Sequence, residues 1–178
     1  MKKVLLCISI IVLFWGCSST NTINFQSDNE YNQYIKEYQK SEIDSIIQHH
    51  DYTIIFGWTE WCKASHHELK KHILSFLAEK PDNIAVISIC CANADTLAKL
   101  LEENDYKYPV YLLANFWAGL DKVKLNRCFR TLFNNYKSAN YVPVVLLCNT
   151  QKEILNWDMM NNCYHGIDYS IWQIRNSF

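Results

Sequence analysis

Ile54-Ile55-Phe56-Gly57-Trp58-Thr59-Glu60-Trp61-Cys62 is the stretch on which the fold turns. With Tyr52 and Thr53 before it, its first half is a short, apolar, β-branched run, the pattern of a buried strand. From about Cys62 the period changes. Leu69, Ile73, Phe76 and Leu77 share one helical face, and Pro81-Asp82-Asn83 ends the helix.

The same alternation continues downstream. Ile84 to Ile89 reads as a second buried strand, Ala94 to Glu103 as a short helix, and Tyr108 to Leu113 as a third strand. Leu120, Val123, Phe129, Leu132, Phe133 and Tyr136 mark a longer helix, followed by the strand Pro143 to Cys148. Asn149 to Lys152 is turn-like before an extended Glu153 to Trp157, and a last helix is expected over 167–175. Upstream, Tyr31, Tyr34, Ile35, Tyr38, Ile43, Ile46 and Ile47 recur mostly at helical spacing, which predicts one helix over Tyr31 to Gln48. Strands alternating with helices imply parallel pairing with right-handed crossovers, and the closing strand-turn-strand implies an antiparallel edge. The expected fold class is an α/β sandwich.

A buried strand that runs into Trp61-Cys62 at the start of a helix resembles the thioredoxin-like superfamily, as does Tyr141-Val142-Pro143 before an apolar strand. The strand and helix between Ala94 and Tyr136 resemble the insertion of exported, membrane-anchored relatives of the TlpA/ResA type. The resemblance runs from about Asp51 to the C-terminus. It implies a three-layer sandwich with a mixed sheet flanked by helices, here carrying an N-terminal helical extension. It implies a cis Pro143 facing the active-site cysteine, Cys62. The chain departs from the family at two positions. Ser65 stands where the second, resolving cysteine is usual, and Phe56 stands near the place of a buried acidic proton acceptor.

Placed at a helix start, Cys62 would meet unpaired backbone N–H groups and the positive end of the macrodipole, which favour thiolate. Lys63 follows, His66 lies one turn on along the same face, and Trp61 shields the thiol. With Ser65 in the fourth place, Cys62 can attack a disulfide but cannot finish reduction by the usual internal route. Ser65 can hydrogen-bond the thiolate without resolving an adduct. Release then needs a client thiol, giving isomerisation, or another cysteine. Cys90 and Cys91 follow the second strand and share the sheet edge used by Cys62, with alternation pointing one of them away from the other. Small packing residues would look the same there. Cys128 and Cys148 read as core, and Cys163 falls in a loop.

The chain's first residues read differently. Lys2-Lys3 precede an uncharged apolar run from Val4 to Trp15, shorter than the ~20 residues of a membrane span and of signal-peptide length. Gly16-Cys17-Ser18-Ser19 then resembles a bacterial lipoprotein signal, in which the cysteine becomes lipid-modified and N-terminal. The expected organisation is a signal peptide over 1–16, a lipidated N-terminus and polar tether over 17–30, and the thioredoxin-like domain over 31–178. That places the protein in the bacterial cell envelope, held to a membrane through Cys17 and facing away from the cytoplasm, with exported protein thiols and disulfides as partners.

The 178 residues carry a formal charge of −1, with no Lys/Arg run beyond short pairs, so nothing points to nucleic acid. Nothing in the motifs requires a bound cofactor. Two further readings stand beside thiol exchange. Cys62 and His66, with His67, Cys90 or Cys91 as a third ligand, would suit Cu(I) or Zn, although the family's copper-binding cysteine pair is missing. Alternatively Trp58 and Trp61 would frame a groove for a peptide in a non-catalytic interaction domain.

Overall fold

The computed structural model describes residues 23–114 and 120–156. The expected signal segment, Cys17, Cys163 and the expected helix over 167–175 lie outside the described residues. Among the described residues a six-stranded sheet has the order β1-β4-β3-β2-β5-β6. Its strands are β1 (Ile35–Glu37), β2 (Tyr52–Thr59), β3 (Ile84–Ala92), β4 (Val110–Ala114), β5 (Val144–Asn149) and β6 (Ile154–Asn156). The first four run parallel to their neighbours, while β5 is antiparallel to β2 and β6 to β5. This is the mixed sheet expected from the alternating pattern.

Helices cover both faces, giving the expected three-layer α/β sandwich. One face packs against α2 (Lys63–Glu68), a π-helical turn (Leu69–Ile73), α3 (Leu74–Glu79) and α4 (Ala94–Glu103). Its core combines Ile54, Phe56, Trp58 and Cys90 from the sheet with Leu69, Ile73, Leu97 and Leu101. The other face packs against α1 (Lys40–Gln48) and α5 (Asp121–Leu132), joining Ile55, Ile89 and Cys91 to Ile43, Ile47, Leu125 and Phe129. Successive residues of β2 therefore feed opposite cores, which is why the strand reads as a continuous apolar run. Gly57 faces α5, where a Cβ would lie 2.3 Å from Phe129 Cζ. The bare backbone lets that ring press directly against the central strand.

The single helix expected over Tyr31 to Gln48 is instead a 3₁₀ turn (Glu30–Tyr34), strand β1 and helix α1. Tyr31, Tyr34 and Ile35 fit a helical face by spacing, but Ile35 to Glu37 pair with Val110 to Leu112 and complete the edge of β4. Tertiary pairing overrides local periodicity here. Only Lys40 onward takes the helical course, burying Ile43 and Ile47. The N-terminal extension is thus helical in part and otherwise belongs to the sheet.

The polar stretch read as a tether is docked from Ile23 on. Ile23 and Phe25 pack on the α4-side core. The backbone N–H groups of Gln26 and Ser27 donate to the Asp95 carboxylate at the start of α4, each at 3.0 Å to Oδ1. Asn29 caps the 3₁₀ turn and donates from Nδ2 to Glu102 at 2.8 Å.

Candidate functional site

Strand β2 ends at Thr59, and the chain turns through Glu60 and Trp61 to bring Cys62 to the N-cap of α2. The turn is closed by the Cys62 N–H, which donates to the Thr59 carbonyl at 3.3 Å. The Cys62 carbonyl in turn accepts the His66 N–H at 3.2 Å, the first bond of the helix. The Cys62 side chain is half-buried and its Sγ donates to the Val142 carbonyl at 3.3 Å. The Val142-Pro143 peptide is cis.

The residues expected around Cys62 divide. Lys63 is exposed on the first turn of α2. Ser65 is fully buried, and its hydroxyl has no hydrogen-bond partner among the described residues. His66 points elsewhere, since its Nε2–H donates to the Glu60 carbonyl at 2.6 Å and its ring meets Trp58 edge-on at 6.5 Å. Phe56 is buried, so core fills the place where the sequence resemblance leads one to look for an acidic residue.

Cys62 meets the residue pair that leads into β5, one neighbour of β2, whereas Cys90 and Cys91 lie on β3, the other neighbour. Cys90 is fully buried with Trp58 on the α4 side, and burial raises its thiol pKa well above the ordinary value. Cys91 points to the α5 side, where burial and the nearby Asp121 carboxylate push it up to about 12. Alternation therefore sends the two thiols into opposite cores. Cys128 and Cys148 are buried too, and all five described cysteines are free thiols. Among these five, Cys62 alone is more than slightly exposed.

The two tryptophans also part company. Trp58 is buried, with its indole N–H donating to Ser88 Oγ at 2.8 Å, so it cannot frame an open groove. Trp61 is 60% exposed and Tyr141 is 64% exposed. Among the described residues no group of three His, Cys, Asp or Glu side chains is arranged to hold a metal ion.

Two acidic residues that the sequence did not single out belong to this corner. Glu60 accepts the Asn93 N–H at 2.9 Å, tying the end of β2 to the start of α4. Burial raises its carboxyl pKa, and the neighbouring Asp121 adds to the shift against the Asn93 hydrogen bond. Asp121, the first residue of α5, is buried and accepts the Trp61 indole N–H at 2.5 Å. An acidic residue at a helix start reads as an ordinary complement to the macrodipole. Nothing local reveals that its partner is sixty residues away.

No protein-family model matches the chain, and no curated protein matches it significantly. Among solved structures, a domain of a possible thiol-disulfide isomerase from Cytophaga hutchinsonii overlaps with a TM-score of 0.49 at 15% identity, covering 72% of this chain and 78% of that one. StoA from Bacillus subtilis gives 0.45 at 20% identity, over 62% and 75% of the two chains. A thioredoxin-related protein from Neisseria meningitidis serogroup B gives 0.45 at 12% identity, over 69% and 87%. Overlap at this level does not transfer the activity of those proteins to this chain. Among the described residues no helix is long and apolar enough to cross a membrane.

Proposed function

We propose that this chain is a thioredoxin-like protein that performs thiol–disulfide exchange or isomerisation with one cysteine, Cys62. It would act on exported proteins while anchored to a membrane of the bacterial cell envelope through lipidated Cys17. The observation that carries the reading is the placement of Cys62. Its thiol is half-exposed at a helix N-cap and faces the carbonyl beside cis Pro143, while the other described cysteines are buried.

The chemistry follows from what the site contains. The Cys62 thiolate attacks one sulfur of a client disulfide, and the other client sulfur leaves as a thiolate carrying the electron pair. Ser65 has no thiol, and Cys90 and Cys91 are buried in opposite cores, so in this reading the mixed disulfide waits for a client thiolate. That thiolate attacks the client sulfur and expels Cys62. Two bonds have broken and two have formed, with no net oxidation, and the client disulfide has moved. In this reading Trp61 flanks the thiol and Lys63 places a positive charge on the first turn of the helix, whereas His66 is turned to the Glu60 carbonyl. Ser65 keeps the second position filled and unreactive.

Incubating the protein with a client of scrambled disulfides tests it. Wild type forms a covalent adduct seen by mass spectrometry under non-reducing conditions and accelerates native pairing, and Cys62→Ser does neither. Absence of any Cys62 adduct with a disulfide substrate overturns the proposal.

A second reading is favoured by two exposed rings, Trp61 next to Cys62 in the chain and Tyr141 next to Val142, whose carbonyl meets the Cys62 thiol. In a non-catalytic interaction domain those rings would hold a peptide, and Cys62→Ser would retain the partner.

A further inference from the structure

We infer that Asp121 is a positioning residue for the Cys62 site, holding the Trp61 indole as a fixed wall beside the thiol. The inference rests on the reading of Cys62 as the reactive group. An exposed tryptophan with little packing around it is free to change rotamer, and ordering it costs entropy. Here the ring is 60% exposed, yet its N–H ends on a carboxylate that is only 1% exposed. The anchor therefore lies in the protein interior although the ring lies on its surface.

Asp121 is an expensive residue to bury for packing alone. A carboxylate taken from water needs hydrogen bonds to hold its charge, and an apolar residue of similar size is often no less stable. Each of its oxygens accepts a hydrogen bond. Oδ2 accepts the Trp61 indole N–H at 2.5 Å, and Oδ1 accepts the Cys91 S–H at 3.5 Å. The start of the twelve-residue helix α5 adds a favourable field for negative charge. Cys91 is buried on β3 and Asp121 leads α5, so the carboxylate is held between those two elements. Its hydrogen bond to Trp61 joins the α5 layer to the residue preceding Cys62.

Cys62 has the Val142 carbonyl on one side and follows Trp61 directly in the chain. Tyr141 and Leu120, both exposed, continue the apolar rim next to Val142 and Asp121 respectively. A peptide disulfide approaching Cys62 meets this rim, whereas a small neutral alkylating reagent needs only the sulfur. Asp121 therefore acts through Trp61 on the capture of large substrates and leaves the intrinsic reactivity of the thiol nearly unchanged.

The test compares wild type, Asp121→Ala, Asp121→Asn and Trp61→Phe. Each is assayed with a cystine-bridged peptide carrying apolar flanking residues and with iodoacetamide. Loss of a hydrogen bond to a charged group predicts that Asp121→Ala slows the peptide reaction about 10-fold. The iodoacetamide rate stays within about twofold, because that small reagent needs only the half-exposed sulfur and not the Trp61 wall. Asp121→Asn keeps an oxygen acceptor in place and restores most of the peptide rate. Trp61→Phe slows the peptide reaction to a similar degree, and combining it with Asp121→Ala adds little, as for two residues acting as one unit. Acrylamide quenching of the Trp61 fluorescence, isolated as the difference from Trp61→Phe, increases in Asp121→Ala.

Unchanged quenching together with an unchanged ratio of peptide to iodoacetamide rates in folded Asp121→Ala overturns the inference. Should Asp121→Ala fail to fold, Trp61→Phe decides, since it leaves the buried carboxylate in place. A normal peptide rate in that variant overturns the inference, and a slowed one supports it. If Cys62 of wild type reacts with neither probe, the exchange function falls, while the quenching comparison still decides whether Asp121 fixes Trp61.

Discussion

Replacing Gly57 by alanine tests whether the close contact of α5 with the central strand is as tight as described. The added Cβ would sit 2.3 Å from Phe129 Cζ and 2.8 Å from Cε2. Carbon atoms prefer about 3.5–4.0 Å, so one of the two must retreat by roughly 1 Å or more. Neither can do so freely. Gly57 is held between Ile89 and Val144 in the centre of the sheet, and Phe129 is fully buried with its ring edge-on to Tyr136 at 5.4 Å. Overpacking of this kind costs about 1–3 kcal/mol, and a pinned strand places Gly57→Ala near the upper end, about 3 kcal/mol. In urea, with a slope of about 2 kcal/mol per molar, the midpoint falls by roughly 1.5 M at unchanged slope. Phe129→Leu removes both clashing atoms. The double variant is therefore less destabilised than the sum of the singles, by at least about 1 kcal/mol. A Gly57→Ala midpoint within experimental error of wild type, or strict additivity with Phe129→Leu, refutes the reasoning.

Ser65→Cys restores a second thiol one helical turn from Cys62, and oxidation should then join the two, with peptide mapping by mass spectrometry showing the bridge. In native protein near pH 8, a maleimide labels Cys62 far faster than Cys90, Cys91, Cys128 or Cys148, because burial raises the thiol pKa of all four; denaturation equalises the rates. The raised Glu60 carboxyl predicts a pH effect. Its stabilising contribution is complete below the ordinary glutamate pKa of about 4.3 and is lost as pH climbs through its higher folded-state value. Glu60→Gln should flatten this component in urea midpoints measured from pH 4 upward. Ser88→Ala leaves the buried Trp58 indole N–H without its acceptor and should cost about 1–3 kcal/mol in the same assay.

The central strands and the helices between them were legible because their signal is local. β2, β3 and β5 are apolar runs between turn residues, and α4 occupies the span expected for it. The exit from β2 into Trp61-Cys62 was legible for the same reason. The segment before Lys40 was not, because Tyr and Ile suit both a helical face and an edge strand, and the choice was made by the open side of β4. In the site, Cys62, Ser65 and Pro143 stood out by motif, and the alternation that separates Cys90 from Cys91 was predictable from strand period. His66 was misdirected because spacing gives the face of a helix but not the acceptor waiting on it, here the Glu60 carbonyl. Asp121 was invisible because its meaning lies in contacts to Trp61 and Cys91 made by folding.

The docking of Ile23 against the α4-side core has a geometric consequence for an anchored protein. With Cys17 as the lipid-bearing residue, only residues 18–22 separate the membrane from the folded body. Even fully extended, that linker spans about 20 Å, less than the width of a small domain. The protein would ride directly on the bilayer surface, unable to sweep through the surrounding space. Its encounters would be confined to polypeptides emerging from, or lying along, the same membrane. Lengthening the segment between Ser18 and Asn21 would then enlarge the set of proteins trapped on Cys62 without altering the site.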